Sequence, residues 1–160
     1  MEQKILKIYY REPEKKFTLR ELSKQSKLPL ATVQRKMKKL EKLNLIKNGE
    51  IVDSLYFRTE KITFYLKELI KSGLIDELIK HFNPSCIVLF GSIRKGESNK
   101  NSDIDIFIES HISNPFNVNK FNKKLKHEIS LFVYKSILDV PYELRMNIIN
   151  GISFYGVLKL

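Results

Sequence analysis

The chain has 160 residues, in which 29 Lys and Arg stand against 18 Asp and Glu for a formal net charge of +11. Hydrophobic residues make up 42% and charged residues 29%, which excludes wholesale disorder; the one cysteine, Cys86, excludes an internal disulfide, and no Cys/His cluster supplies a structural zinc site. No run approaches the ~18 apolar residues of a membrane span, and Met1-Glu2-Gln3-Lys4 opens no signal-peptide apolar region, so a soluble, cytoplasmic protein with no membrane partner is expected.

The charge is uneven. Residues 1–58 hold 15 Lys and Arg against 7 Asp and Glu, whereas residues 59–160 hold 14 against 11. A basic first third calls for an anionic partner, nucleic acid ahead of an anionic membrane surface. A solvated Lys-rich surface would satisfy charge alone, so the motifs decide.

Three helices are predicted first. Ile5, Ile8 and Tyr9 form an i, i+3, i+4 stripe that ends before Glu12-Pro13. Thr18 is placed to cap a second helix, with Glu21 completing a capping box and Leu22 opening the buried face. Leu28-Pro29-Leu30 breaks the chain, and a third helix runs from Ala31 to Leu43. Val33, Met37 and Leu40 lie along one stripe, with Leu43 at its edge, and Asn44 suits the left-handed conformation that ends a helix. Thr32, Gln34, Arg35, Lys38, Lys39 and Lys42 are the candidate DNA-contacting residues of this helix. A hairpin follows, in which Leu45-Ile46-Lys47 and Ile51-Val52 flank Asn48-Gly49, suited to a type I′ turn.

A basic helix of this kind fits the major groove while Lys and Arg neutralise phosphates and release counterions. The segment from Leu28 to Lys47, with its ATVQRKMKKLEKLNLIK order, resembles the winged helix-turn-helix domains of prokaryotic regulators. Asn44 stands where such domains usually carry Gly. The winged helix-turn-helix is placed at 1–59 and connecting helices at 60–82.

In the connecting region Ile62, Leu66, Leu69, Ile70, Leu74, Ile75, Leu78 and Ile79 make an apolar stripe, with Gly73 dividing two helices and Asn83-Pro84 ending the second. Packing against the following sheet is the reading for Leu74 to Phe82. The stretch from Ile62 to Ile70 fits either a homodimer seam or core packing.

The remaining stretch, 83–160, carries the chemistry. Cys86-Ile87-Val88-Leu89-Phe90 reads as a buried strand closed by Gly91-Ser92. A polar stretch leads to Ser102-Asp103-Ile104-Asp105-Ile106-Phe107-Ile108, whose alternation puts Asp103 and Asp105 on one strand face and the isoleucines in the core. Adjacent carboxylates repel each other, and a hard cation such as Mg²⁺, which also binds nucleotide phosphates, relieves that repulsion. Gly91 lets the chain turn closely, and Ser92 falls at the next helix's N-terminus, where free N–H groups and a hydroxyl hold phosphate oxygens.

The string LFGSIRKGESNKNSDIDIFI, Leu89 to Ile108, resembles the nucleotidyltransferase superfamily that includes DNA polymerase beta and the kanamycin nucleotidyltransferases. Arg94, Lys95 and Gly96 fill the basic and second-glycine places of the phosphate loop of its minimal members. The resemblance implies an α+β fold, a winged helix-turn-helix followed by a small mixed-sheet domain. It implies Mg²⁺ on Asp103 and Asp105, and an NTP, ATP first, bound with Gly91, Ser92, Arg94, Lys95 and Ser102. The family's third carboxylate falls on the candidate strand His127 to Tyr134 after a helix around Asn117 to Lys126. There Ser130 takes the acidic position, and Glu128, on the same strand face, is the substitute catalytic candidate.

The ending fits the same domain. Asp139 is a candidate helix cap with Pro141 in the first turn, Gly151 is a stop, and Ile152 to Tyr155 a closing strand. His81, His111 and His127 are read as surface or capping residues, with His127 set apart by its nearness to the strand facing the aspartates. Cys86 is read as a buried small hydrophobe, and Tyr9, Tyr10, Tyr134 and Tyr155 as packing.

By resemblance, the whole is a DNA-binding nucleotidyltransferase that transfers a nucleoside monophosphate to a small helical toxin-like protein and regulates its operon. The rival is an inactive transcription regulator that senses nucleotide or docks a partner. Glu128 discriminates, since catalysis needs its carboxylate beside Asp103 and Asp105. An aminoglycoside- or RNA-modifying enzyme is disfavoured, as roughly 75 residues leave little room for an acceptor domain.

Overall fold

The computed structural model describes residues 3–159, and Met1, Glu2 and Leu160 lie outside it. The chain divides into two compact units, Met1–Phe64 and Tyr65–Leu160.

The first unit begins with α1 (Gln3–Arg11), α2 (Leu19–Ser26) and α3 (Leu30–Lys42). On α1 the buried residues are Ile5, Leu6, Tyr9 and Tyr10. Ile8, assigned to the stripe, is only half-buried; adjacent residues widen the buried face beyond a strict i, i+3, i+4 line. The Thr18 capping box forms as read, with the Glu21 amide donating to Thr18 Oγ1 and the Thr18 amide donating to Glu21 Oε2 at 2.8 Å. Val33, Met37 and Leu40 pack inward, and Leu43 is exposed. Asn44 takes φ +56, as its place after the helix demands. Strands β1 (Ile46–Lys47) and β2 (Glu50–Ile51) pair antiparallel around Asn48 and Gly49, both at positive φ as a type I′ turn requires. Tyr9 Oη donates to the Gly49 carbonyl at 3.0 Å, tying the first helix to the tip of the hairpin.

A long helix, α4 (Leu55–Ser72), starts well ahead of the Ile62 stripe and carries residues of both units; α5 (Leu74–Phe82) follows Gly73, which sits at φ +82. Leu69, Leu74, Ile75, Leu78 and Phe82 are buried, while Ile70 is exposed.

The second unit is built on a four-stranded mixed sheet of β3 (Cys86–Phe90), β4 (Ile104–Glu109), β5 (Ile129–Tyr134) and β6 (Ile152–Gly156), in the order β5-β4-β3-β6. β3 pairs antiparallel with β4 and β6, while β4 and β5, joined through α7 (Asn119–Leu125), are parallel. Every residue of β3 is buried, as its unbroken apolar run demands. One face of the sheet packs Cys86, Val88, Phe90 and Phe107 against Ile137, Val140 and Ile148. Strand alternation puts Ile87, Leu89, Ile104, Ile106 and Ile108, all buried, on the other face. Burial pushes the Cys86 thiol up to about 11, so it is an inert apolar residue.

Near the C-terminus the detail departs from expectation. Asp139 caps no helix. It closes a 3₁₀ turn, Ile137–Asp139, capped by Ser136, and α8 (Tyr142–Ile149) starts after Pro141. The Ile137 amide is held by the buried Glu109 carboxylate at 2.9 Å, which pulls that turn onto the sheet. Tyr155 is exposed rather than packed.

Candidate functional sites

In the first unit, burying Val33, Met37 and Leu40 obliges the rest of α3 to face outward. Gln34, Arg35, Lys38, Lys39 and Lys42 come together on one exposed face and, with Ala31, line a shallow depression of about 480 Å³. Thr32 is half-buried and does not line it. Four cations on one helical face form the electrostatic footprint that phosphates neutralise.

In the second unit, β3 delivers Phe90 opposite Asp105 in the antiparallel register. The next residue, Gly91, has φ +75, and a Cβ placed there would stand 2.1 Å from Asp105 Oδ2. Only glycine fits at this crossing. A short helix, α6 (Gly91–Lys95), turns the chain away and is anchored by buried Ile93. It ends on Gly96 at φ +73, whose amide donates to the Ile93 and Ser92 carbonyls. Ser92 and Arg94 are half-buried and Lys95 is exposed.

Asp103 is exposed just before β4, and Asp105 is half-buried within it. Burial raises the Asp105 carboxyl above its ordinary value, and the Asp103 charge raises it further. The parallel register sets Ser130 beside Asp105, and Ser130 Oγ lies 3.5 Å from Asp103 Oδ2, at the outer limit of a hydrogen bond. Glu128 is exposed, and its Oε2 accepts from Asn122 Nδ2 at 2.5 Å. Among the described residues no group of three His, Cys, Asp or Glu is placed to hold a metal ion. Glu128 therefore does not complete a three-acid cluster with the paired aspartates.

The donor set nevertheless fits Mg²⁺, which usually takes one or two carboxylates from a protein and fills its remaining positions with water and phosphate. Two mutually repelling carboxylates, one with its charged form disfavoured, are what a divalent ion relieves.

Ser102 lines a cavity beside Asp103 and also has a structural role. Its Oγ accepts from the Asn99 amide at 2.9 Å and locks the turn that leads into Asp103. His127, read as a surface or capping residue, is buried. Its Nδ1 lies 2.7 Å from the Ser102 carbonyl and its Nε2 3.1 Å from Tyr65 Oη. This pins the residue preceding Asp103 to α4. Nothing in the local sequence signals it, because Tyr65 and His127 stand 62 positions apart.

Comparison with known families follows the two units. A nucleotidyltransferase domain model matches residues 71–154, and a winged helix-turn-helix DNA-binding model matches residues 1–47. No curated protein and no solved structure matches the chain. Among the described residues no helix is long and apolar enough to cross a membrane.

Proposed function

We propose, starting from a chain that belongs to the nucleotidyltransferase domain family and carries a winged helix-turn-helix DNA-binding domain, that it is a nucleotide-binding transcription regulator with slow nucleotidyl transfer. Asp103 and Asp105 hold Mg²⁺, Ser92 and the amides of the Gly91 turn contact phosphate oxygens, and Arg94 and Lys95 neutralise the β- and γ-phosphates of an NTP, ATP first. When bound, Mg²⁺ stabilises the negative charge of the triphosphate and of departing pyrophosphate. Gly91 keeps the nucleotide loop within reach of Asp105.

The observation that carries this reading is Ser130 in the third-acid position while Glu128 is bonded to Asn122. A serine hydroxyl neither carries charge nor takes a proton at neutral pH, so an acceptor hydroxyl meets no base at Ser130. Binding without efficient transfer suits a sensor.

A second reading, transfer of NMP to a small helical toxin-like partner protein, draws support from Glu128, which lines the same cavity as Asp103. Incubation with labelled NTP, Mg²⁺ and the product of the neighbouring gene separates the two. Stoichiometric label on that protein within minutes would establish transfer; Mg²⁺-dependent ATP binding by calorimetry with only slow labelling would establish the sensor.

A further inference from the structure

On the β5 side of Asp103 lies a cavity of about 490 Å³, large enough for a small-molecule ligand. Three exposed lysines, Lys100, Lys123 and Lys126, line it, and none of their ammonium groups has a hydrogen-bond or ion-pair partner among the described residues. Glu128 and Asn122 line it too. Asn122 Nδ2 is spent on Glu128 Oε2, and Asn122 Oδ1 is buried with no partner at all. A buried acceptor left unsatisfied is costly, and a carboxylate that accepts one bond retains capacity for others. The cavity thus presents three unpaired ammonium groups beside one buried acceptor without a donor and one exposed carboxylate with capacity for further bonds.

We propose that this cavity is the site of a second small ligand, a phosphate monoester carrying neighbouring hydroxyls. The phosphate meets the lysines, and the hydroxyls donate to Asn122 Oδ1 and Glu128. A bare anion would leave Asn122 Oδ1 unmet, and a neutral sugar would leave the lysines without a counter-charge. Asp103 forms part of the wall, so the ligand lies against the nucleotide; that adjacency rests on the reading of Asp103 and Asp105 given above, whereas binding in the cavity does not.

Ribose 5-phosphate is the probe, titrated calorimetrically into the full chain without Mg²⁺ or nucleotide. It is expected to bind at least about tenfold more tightly than either ribose or inorganic phosphate. Lys123→Ala with Lys126→Ala should weaken it by about tenfold or more, Asn122→Ala should weaken it as well, and Lys80→Ala, outside the cavity, should not. Unchanged thermal melts keep the variants interpretable. Equal affinity for inorganic phosphate and ribose 5-phosphate would overturn the proposal. Displacement of ribose 5-phosphate by Mg²⁺-ATP would overturn it as well, by making the cavity part of the nucleotide's own site. Ribose 5-phosphate binding in a protein that fails to bind Mg²⁺-ATP would uphold this site and remove only the nucleotide reading.

Discussion

Gly91 faces Asp105 across the β3–β4 pair so closely that a methyl group at residue 91 would overlap the carboxylate, 2.1 Å from Oδ2. The glycine does two jobs, since φ +75 also belongs to the left-handed region that costs a Cβ-bearing residue ~1–2 kcal/mol. Gly91→Ala should therefore displace Asp105 while the buried run of β3 keeps the domain folded. Calorimetry should show Mg²⁺-dependent ATP affinity falling at least about tenfold. Undiminished affinity in a folded variant would mean that Asp105 is not a ligand.

The paired aspartates set a trade between stability and binding. Because folding raises the Asp105 carboxyl, its protonated form is favoured in the native state. Its contribution to stability is present below the unfolded-state value and is lost as pH rises through the folded one. At neutral pH the ionised group is a burden on the metal-free fold. Asp105→Asn should raise the melting temperature at pH 7 by a few degrees, and the gain should vanish in acid below the carboxylate range. Mg²⁺ should stabilise the wild type and not the variant, and Asp103→Asn with Asp105→Asn should abolish Mg²⁺-dependent ATP binding. A less stable Asp105→Asn at pH 7 would contradict this account.

The outward face of α3 makes a separate prediction for DNA. Replacing Lys38, Lys39 and Lys42 by Ala should weaken binding to all sequences alike and flatten the log–log salt dependence by roughly 0.9 for each phosphate that is no longer neutralised. Gln34→Ala or Arg35→Ala should instead relax discrimination between sites, by about 1–3 kcal/mol at the affected base pair. A salt slope unchanged in the triple variant would move the DNA surface elsewhere on the chain.

Much of this was legible in the sequence because local rules produced it. The capping box at Thr18, the Asn48-Gly49 turn and the division at Gly73 each depend on residues within a few positions. The placement of the candidate site residues was legible for the same reason: alternation alone pairs Asp103 with Asp105, and helical spacing alone gathers Lys38, Lys39 and Lys42. What escaped depends on tertiary neighbours. The Tyr65–His127–Ser102 link joins α4 to the turn that leads into Asp103 across 62 positions in one step and 25 in the next. Glu109 continues the strand face of Asp103 and Asp105 but turns inward to hold Ser85 and Ile137, a role no spacing reveals. Glu128 read as a spare acid because period-2 alternation set it beside Ser130, and Asn122, six positions earlier, captured its carboxylate.

Turnover depends on whether any base stands where Ser130 does. Loss of a general base typically costs about 10²–10⁴ in rate, so wild-type transfer should be weak even with ATP bound. Ser130→Asp sets a carboxylate in register with Asp105 and close to Asp103, and should raise transfer by about 10² or more. The same substitution gathers three repelling acids, so the metal-free variant should melt earlier than the wild type and recover with Mg²⁺. Glu128→Gln should lower whatever transfer the wild type retains, since Glu128 lines the cavity that Asp103 shares. Single-turnover labelling measures all three. Robust wild-type turnover that Glu128→Gln leaves untouched would place the base elsewhere, and the sensor reading would fall with it.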